Sequence, residues 1–316
     1  MQYETLMPVV ITFGVSVVLC PIVIPFLKKL KFGQFVREEG PETHLKKSGT
    51  PTMGGLIILA SVILVSVFYM QSYPGIVPIL FVTLGFGLIG FMDDYIKVVM
   101  KRSLGLRAWQ KMLGQMVVTL VFAYYMTRYQ EDLTMLIPFS GGKYLDLGQW
   151  YIPALFFIVL GTVNGANFTD GLDGLASSVT MLIATYFTVA AIALHSGIEP
   201  VTCAVVGALL GFLVYNVYPA RVFMGDTGSL ALGGFVAATA FILKLPLFIP
   251  IVAFIYLIEV TSVIVQVVYF KMTGRRILKM APLHHHFELS GWPETKVVSI
   301  FSIITAILCL IGLLAI

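Results

Sequence analysis

The feature that most constrains this chain is a repeated one: apolar runs near twenty residues long, joined by short polar connections. A helix needs ~20 apolar residues to cross a bilayer. The runs are Thr5–Leu27, Thr52–Met70, Gly75–Asp93, Trp109–Tyr129, Ile152–Asn167, Ala176–His195, Pro200–Tyr218, Ser229–Leu245, Leu247–Phe270 and Val297–Ile316. None alternates polar with apolar, so a transmembrane β-barrel is excluded and the spans are helices, which satisfy their own backbone. Composition supports this. The chain is 58% hydrophobic and 11% charged, against about 25% charged in soluble domains. The expected fold is an all-α polytopic membrane protein of about ten transmembrane helices, a single unit over residues 1–316. The lipid bilayer is its surroundings, and nucleic acid is not an expected partner.

The first run reads as a retained span. It has no basic start and no small-residue cleavage motif, and Lys28, Lys29 and Lys31 follow it. Cys20, Cys203 and Cys309 lie inside apolar runs without ligand spacing, and are expected to be small core residues.

Charge sorts the connections. The segments 28–47, 97–111, 221 and 271–296 hold seventeen of the 20 lysines and arginines. All belong to odd-numbered connections, which the positive-inside rule places in the cytoplasm. Both termini are then extracytoplasmic. The sizeable outer connection, Gln130–Tyr151, contains "PFSGGKYLDLG", the pattern of a small hairpin around Gly141–Gly142.

Carboxylates are costly at membrane depth and mark function by default. Here they gather: Asp93 and Asp94 in "GFMDDYIK", Asp170 and Asp173 in "NGANFTDGLDGLA", Asp226 in "VFMGDTGSL". All five fall on the cytoplasmic side by the charge sorting. Any one of them reads equally well as a solvated or capping residue; three such motifs on one face do not. Aspartate oxygens suit Mg²⁺, which pairs one or two carboxylates with substrate phosphates. Glycines beside them let backbone N–H groups approach an anion. Lys97, Lys101 and Lys111 flank the same segments. The combination points to a metal-bound diphosphate, and no Walker A motif is present.

With "HLKKSGTPTMGG" (His44–Gly55), "NVYPARVFMGDTGSLALG" (Asn216–Gly233) and "APLHHHFELSGW" (Ala281–Trp292), these motifs cover essentially the whole chain. They resemble the polyprenyl-phosphate N-acetylhexosamine-1-phosphate transferases. Within that superfamily the "PLHHHFE" element is similar to the phospho-N-acetylmuramoyl-pentapeptide transferases. Arg221 takes a slot open to Lys or Arg. The resemblance implies ten-helix homodimers in the bacterial cell membrane, with the active site built from the connections around 28–51, 93–111, 164–176, 216–229 and 271–296. It implies transfer from UDP-N-acetylmuramoyl-pentapeptide to undecaprenyl phosphate, giving lipid I and UMP with Mg²⁺. That reaction is the first membrane step of peptidoglycan synthesis, which serves cell shape and division.

The resemblance also implies roles. Asp226 is the expected metal ligand. Asp93 and Asp94 are catalytic: either a base or nucleophile, or the pair that orients metal water and the attacking phosphate. A phosphate monoester is largely dianionic at neutral pH, which favours the second reading and a single displacement. Asp173, Phe223 and Gln266 are expected at the nucleoside, and a ring stacked on a base contributes about 1–3 kcal/mol. Lys97, Asn167 and Asp170 are expected to line the same cleft. Lys46, Lys101 and Lys111 either steer anionic substrate or serve topology alone. Glu259, inside the ninth run, receives no catalytic role.

His284, His285 and His286 form an internal run followed by a full span, so they are no affinity tag. Adjacent residues project ~100° apart in a helix, which disfavours a shared zinc. His284 and His285 are expected in catalysis and His286 in substrate binding. Two other readings stand beside this one: transfer of a different N-acetylhexosamine phosphate, and a transporter with a carboxylate-lined path. The transporter needs ionisable groups near mid-membrane and internal repeats, whereas the aspartates cluster at the cytoplasmic ends and no repeat is detected.

Overall fold

The computed structural model describes residues 3–29, 49–100 and 105–316. The helices are α1 Tyr3–Lys29, α2 Gly55–Ser66, α3 Ile76–Val98, α4 Ala108–Tyr129, α5 Tyr151–Thr169, α6 Leu175–Ala193, α7 Glu199–Asn216, α8 Gly225–Ile242, α9 Phe254–Thr273, α10 Leu283–Glu288 and α11 Glu294–Leu314. Among the described residues, eight are long and apolar enough to cross a membrane. The other two expected spans are helical but differ in kind. α2, with the 3₁₀ turn that extends it to Tyr69, is short. α4 has 22 residues but carries Gln110, Lys111, Gln115 and Arg128.

α8 is the centre of the bundle. Every residue from Thr227 to Phe241 is buried. Its small residues, Gly228, Ser229, Ala231, Gly233, Gly234, Ala237 and Ala238, let neighbours close on it, the packing that membrane interiors favour where hydrophobicity gives no drive between helices. α3 runs along α8, with α5 on another side. The α3–α8 contact is tightest at Gly90, where a Cβ would stand 2.0 Å from the carbonyl oxygen of Asp226. Only glycine permits that approach, and the approach sets Asp93 and Asp94 beside Asp226.

Several boundaries differ from the sequence expectation. α3 continues past Asp93 to Val98, so Asp93, Asp94 and Lys97 ride on its last turns. α8 begins at Gly225 rather than Ser229, which puts Asp226 in its first turn. The run Leu247–Phe270 is broken. A 3₁₀ turn, Pro246–Phe248, and one helical turn, Ile249–Val252, precede α9, and Ala253 leaves helical geometry at φ −108°, ψ 33°. Pro246 and Pro250 cannot donate backbone hydrogen bonds there.

The connection Gln130–Tyr151 forms the expected hairpin. β1 (Met135–Leu136) pairs antiparallel with β2 (Tyr144–Leu145), Met135 opposite Leu145 and Leu136 opposite Tyr144. Leu136 N–H donates to the Lys244 carbonyl and Phe139 N–H to that of Ala315. The hairpin thus covers the end where α8 and α11 finish. Lys244 pairs with Asp132 at 2.5 Å there and, with the Thr134 N–H, holds the Asp132 carboxyl down to about 2. α1 runs parallel to α7: a Cβ at Gly207 would meet Val9, and one at Gly211 would meet Ser16. The start of α1 and the end of α11 therefore lie at the hairpin end. The aspartates lie at the other.

Candidate active site

At that other end, α3, α4, α5 and α8 converge on one carboxylate. Asp226 Oδ2 receives Lys97 Nζ at 2.8 Å and Lys111 Nζ at 2.9 Å. Its Oδ1 accepts from Asn167 Nδ2 at 2.9 Å, and the same amide donates to Ser229 Oγ at 2.8 Å. Lys97 also pairs with Asp93 Oδ2 at 2.5 Å, and Lys111 reaches Asn167 Oδ1 at 3.2 Å. Lys97 is one helical turn beyond Asp93, and Lys111 stands in the first turn of α4, so helix geometry aims both ammoniums inward.

The two adjacent aspartates have different surroundings. Asp93 Oδ1 accepts the Leu106 N–H at 2.8 Å, leaving Oδ2 toward Lys97 and the cleft. Asp94 faces α8. It accepts the backbone N–H of Asp226 at 3.2 Å, and the N–H and hydroxyl of Thr227 at 2.9 and 2.6 Å. Those are first-turn donors that no other helical residue can satisfy. Asp94 thus caps α8 from a different helix, with its negative charge at the positive end of the α8 dipole.

Asp170, half-buried, closes α5. Burial first, then the charges of Asp226 and Asp94, push its carboxyl well above the usual carboxylate range, against a hydrogen bond from the Gly225 backbone. Asp173 is buried and braces a neighbouring loop. Its Oδ2 accepts the Ala220 N–H at 2.9 Å, and its own N–H donates to Glu294 Oε1 at 2.6 Å. Phe223, half-buried, is clamped through its backbone: its N–H donates to Pro51 O, and its carbonyl accepts the Gly54 N–H.

The histidine run forms α10, and its members take separate partners. His284 is fully buried, with Nδ1 3.2 Å from Glu259 Oε1. His285 Nδ1 lies 2.8 Å from Glu288 Oε2, and His286 Nδ1 accepts the Lys279 N–H at 3.1 Å. Gln266, near the end of α9, holds the adjoining loop. Its Oε1 accepts the N–H groups of Ile277 and Leu278, and its Nε2 donates to Leu278 O. One amide N–H of Gln266 is left for another partner. Lys46 and Lys101 lie outside the described residues.

Comparison with known proteins matches this arrangement to a family. The sequence model of Glycosyl transferase family 4 matches residues 76–244, and the phospho-N-acetylmuramoyl-pentapeptide-transferase signature 1 matches residues 47–59. A phospho-N-acetylmuramoyl-pentapeptide-transferase of Clostridium kluyveri is 50% identical over 317 residues, 99% of this chain and all of the relative. One from Acetivibrio thermocellus is 50% identical over 309 residues, covering 97% and 93% of the two chains. A third, from Clostridium botulinum, is 52% identical over 307 residues, covering 96% and 94%. This chain belongs to the phospho-N-acetylmuramoyl-pentapeptide transferases.

The donor set is compatible with a divalent cation. Oxygens of Asp93, Asp94 and Asp226 lie within 4.8 Å of one another, with no histidine or cysteine among them. That is the all-oxygen preference of Mg²⁺. With Asp94 turned to α8, Asp93 and Asp226 are the pair disposed to hold it.

Some site residues escape the sequence reading. Thr227 and Ser229 adjoin Asp226 in "GDTGS", and a run of small polar residues at a helix start was their signal. Glu294, which grips Asp173, lies far away in sequence and gave none.

Proposed function

We propose that this chain transfers phospho-N-acetylmuramoyl-pentapeptide from its UDP-activated form to undecaprenyl phosphate, giving lipid I and UMP, in a bacterial cell membrane. One observation carries the reading: a carboxylate cluster braced by two lysines, at the end of the bundle where the family's motifs converge. Asp226 and Asp93 would hold Mg²⁺, which when bound neutralises diphosphate oxygens and eases departure of UMP.

The chain's own residues do the positioning. Lys97 and Lys111 sit where the diphosphate charge would come, and each is already aimed by a carboxylate. Catalysis of phosphoryl transfer is mostly such placement and charge neutralisation. The lipid phosphate needs no base, being largely dianionic at neutral pH, so a single displacement suffices. Asp93 Oδ2 orients the approach, while Asp94 holds α8 and with it Asp226. Phe223 offers a ring to uracil, Gln266 its remaining N–H and Asp173 the floor of the nucleoside site. Asp170 and Asn167 line the cleft. His284, His285 and His286 close it from the last loop.

The basic residues at this end, Lys28, Lys29, Lys271, Arg275, Arg276 and Lys279, support a cytoplasmic active site and extracytoplasmic termini. An R275C variant labelled from the cytosolic side alone would agree; labelling from outside would reverse the orientation. The homodimer rests on the resemblance, and cross-linking in native membranes tests it.

The function is tested in detergent. UMP release from UDP-N-acetylmuramoyl-pentapeptide should need undecaprenyl phosphate and Mg²⁺, and UDP-N-acetylglucosamine should not replace the donor. Turnover of UDP-N-acetylglucosamine alone would favour a related hexosamine transferase. Retained configuration at a chiral β-phosphorus would contradict the single displacement.

A further inference from the structure

Glu259 lies inside α9, fully buried, where an ionised carboxylate is costly. Its Oε1 accepts the backbone N–H of His284 at 3.2 Å and stands 3.2 Å from that residue's Nδ1. Its Oε2 has no hydrogen-bond partner among the described residues, and neither ring nitrogen of His284 has one. Two buried polar side chains, 25 residues apart, thus stand side by side, joined through the His284 backbone N–H.

The other edge of the imidazole faces the motif "TDGLDG". A Cβ at Gly171 would stand 2.0 Å from His284 Nε2. The ring therefore lies directly on the backbone between Asp170 and Asp173, and a side chain at 171 would drive it away. On its remaining side it meets the ring of His285, centroids 4.1 Å apart.

We propose that Glu259 is a positioning residue for the transfer reaction, acting through His284. The carboxylate holds the His284 backbone N–H and stands beside Nδ1, and so sets the direction of the ring, whose Nε2 edge lies on the Asp170–Asp173 turn. α9, α10 and that turn are thereby locked in one arrangement. The arrangement parallels a carboxylate orienting a metal-bound imidazole, where loss of the outer partner commonly costs ~10–100-fold in metal affinity or activity. A role toward His284 explains why a carboxyl side chain is kept inside α9. Bulk packing does not: an apolar residue would fill the same space without desolvation cost.

The inference rests on the proposed transferase activity, so its test has one arm that does not use activity. The experiment compares full-length wild type, E259Q, H284A and E259Q/H284A in detergent. E259Q keeps the shape and one oxygen, so it should hold its Tm near the wild-type value. Its kcat should fall ~10-fold or more, with KM for the UDP-linked donor changed less than ~2-fold. The double variant should be no worse than H284A, since groups acting as a unit are not additive. Separately, ¹⁵N-histidine spectra of this five-histidine chain should contain one ring signal that H284A removes and E259Q shifts. Wild-type kcat in E259Q, additive losses, or an unmoved His284 signal would each overturn the proposal. An inactive wild type would instead remove the transferase reading, and the spectra would then decide for or against Glu259.

Discussion

Asp94 and Thr227 meet in two hydrogen bonds, from the backbone N–H at 2.9 Å and from the hydroxyl at 2.6 Å, across 133 positions of sequence. That contact fixes the start of α8 and hence the direction of Asp226. It separates two neighbouring aspartates by role: Asp93 turned to the cleft, Asp94 to the helix end. T227A keeps the N–H bond and loses the hydroxyl, so it should cost ~1 kcal/mol of stability and a few-fold in kcat. D94A orphans three buried donors and should cost several kcal/mol, since each is worth ~1–3. Thermal unfolding and UMP release on the same preparations check both. D94A with wild-type Tm would show that Asp94 is no cap.

Lys111 holds Asp226 and Asn167 together. K111A should lower turnover, because an ammonium facing the diphosphate is gone. It should also tighten Mg²⁺ binding to the free enzyme, because a cation competing for Asp226 is gone. Calorimetric Mg²⁺ titration separates the two effects. Weaker metal binding in K111A would place the lysine's role elsewhere.

Gly90 is the contact point of α3 and α8. G90A would force its methyl to 2.0 Å from the Asp226 carbonyl, and overpacking of this kind costs ~1–3 kcal/mol or more. The helices must part, and the aspartates with them. G90A should lose activity along with Tm, whereas Gly161, with nothing within 4 Å of its Cβ position, should accept alanine with neither loss.

Asp132 and Lys244 lie at the hairpin end, away from the cleft. D132N should leave kcat unchanged. The folded carboxyl titrates at about 2, below the ~3.9 of an unfolded chain. The pair's contribution is therefore present above pH ~4 and is lost as pH falls through about 2. A Tm gap between wild type and D132N at neutral pH should close on acidification. A gap that widens would contradict the pairing.

Much of this was legible in the sequence because bilayers impose long apolar runs and an asymmetry of basic loops. The long helices follow from those constraints, eight of them span-like among the described residues, and the hairpin from the Gly141–Gly142 pattern. Helix ends did not: hydropathy stops at Asp93, while the helix continues to Val98 because its polar last turns face partners rather than lipid. The same blindness hid the start of α8 at Gly225. Resemblance grouped Asp93 with Asp94, but only packing shows that one faces the cleft and the other a distant helix. Gln266 and Glu259 are lone polar residues in an apolar run, where such side chains need partners. The partners are loop backbone at 277–278 and His284, and no local pattern encodes either contact.

The central claim is that Asp226 organises a metal-dependent transfer at the end of the bundle opposite the hairpin. Its most direct test is Mg²⁺ titration of UMP release by wild type and D226N, with and without undecaprenyl phosphate. The account predicts saturable Mg²⁺ activation in wild type only with the lipid present. In D226N it predicts turnover lower by ~100-fold or more, as for loss of a group that stabilises transition-state charge, in a protein that remains folded. Comparable Mg²⁺-dependent release by folded D226N would contradict it.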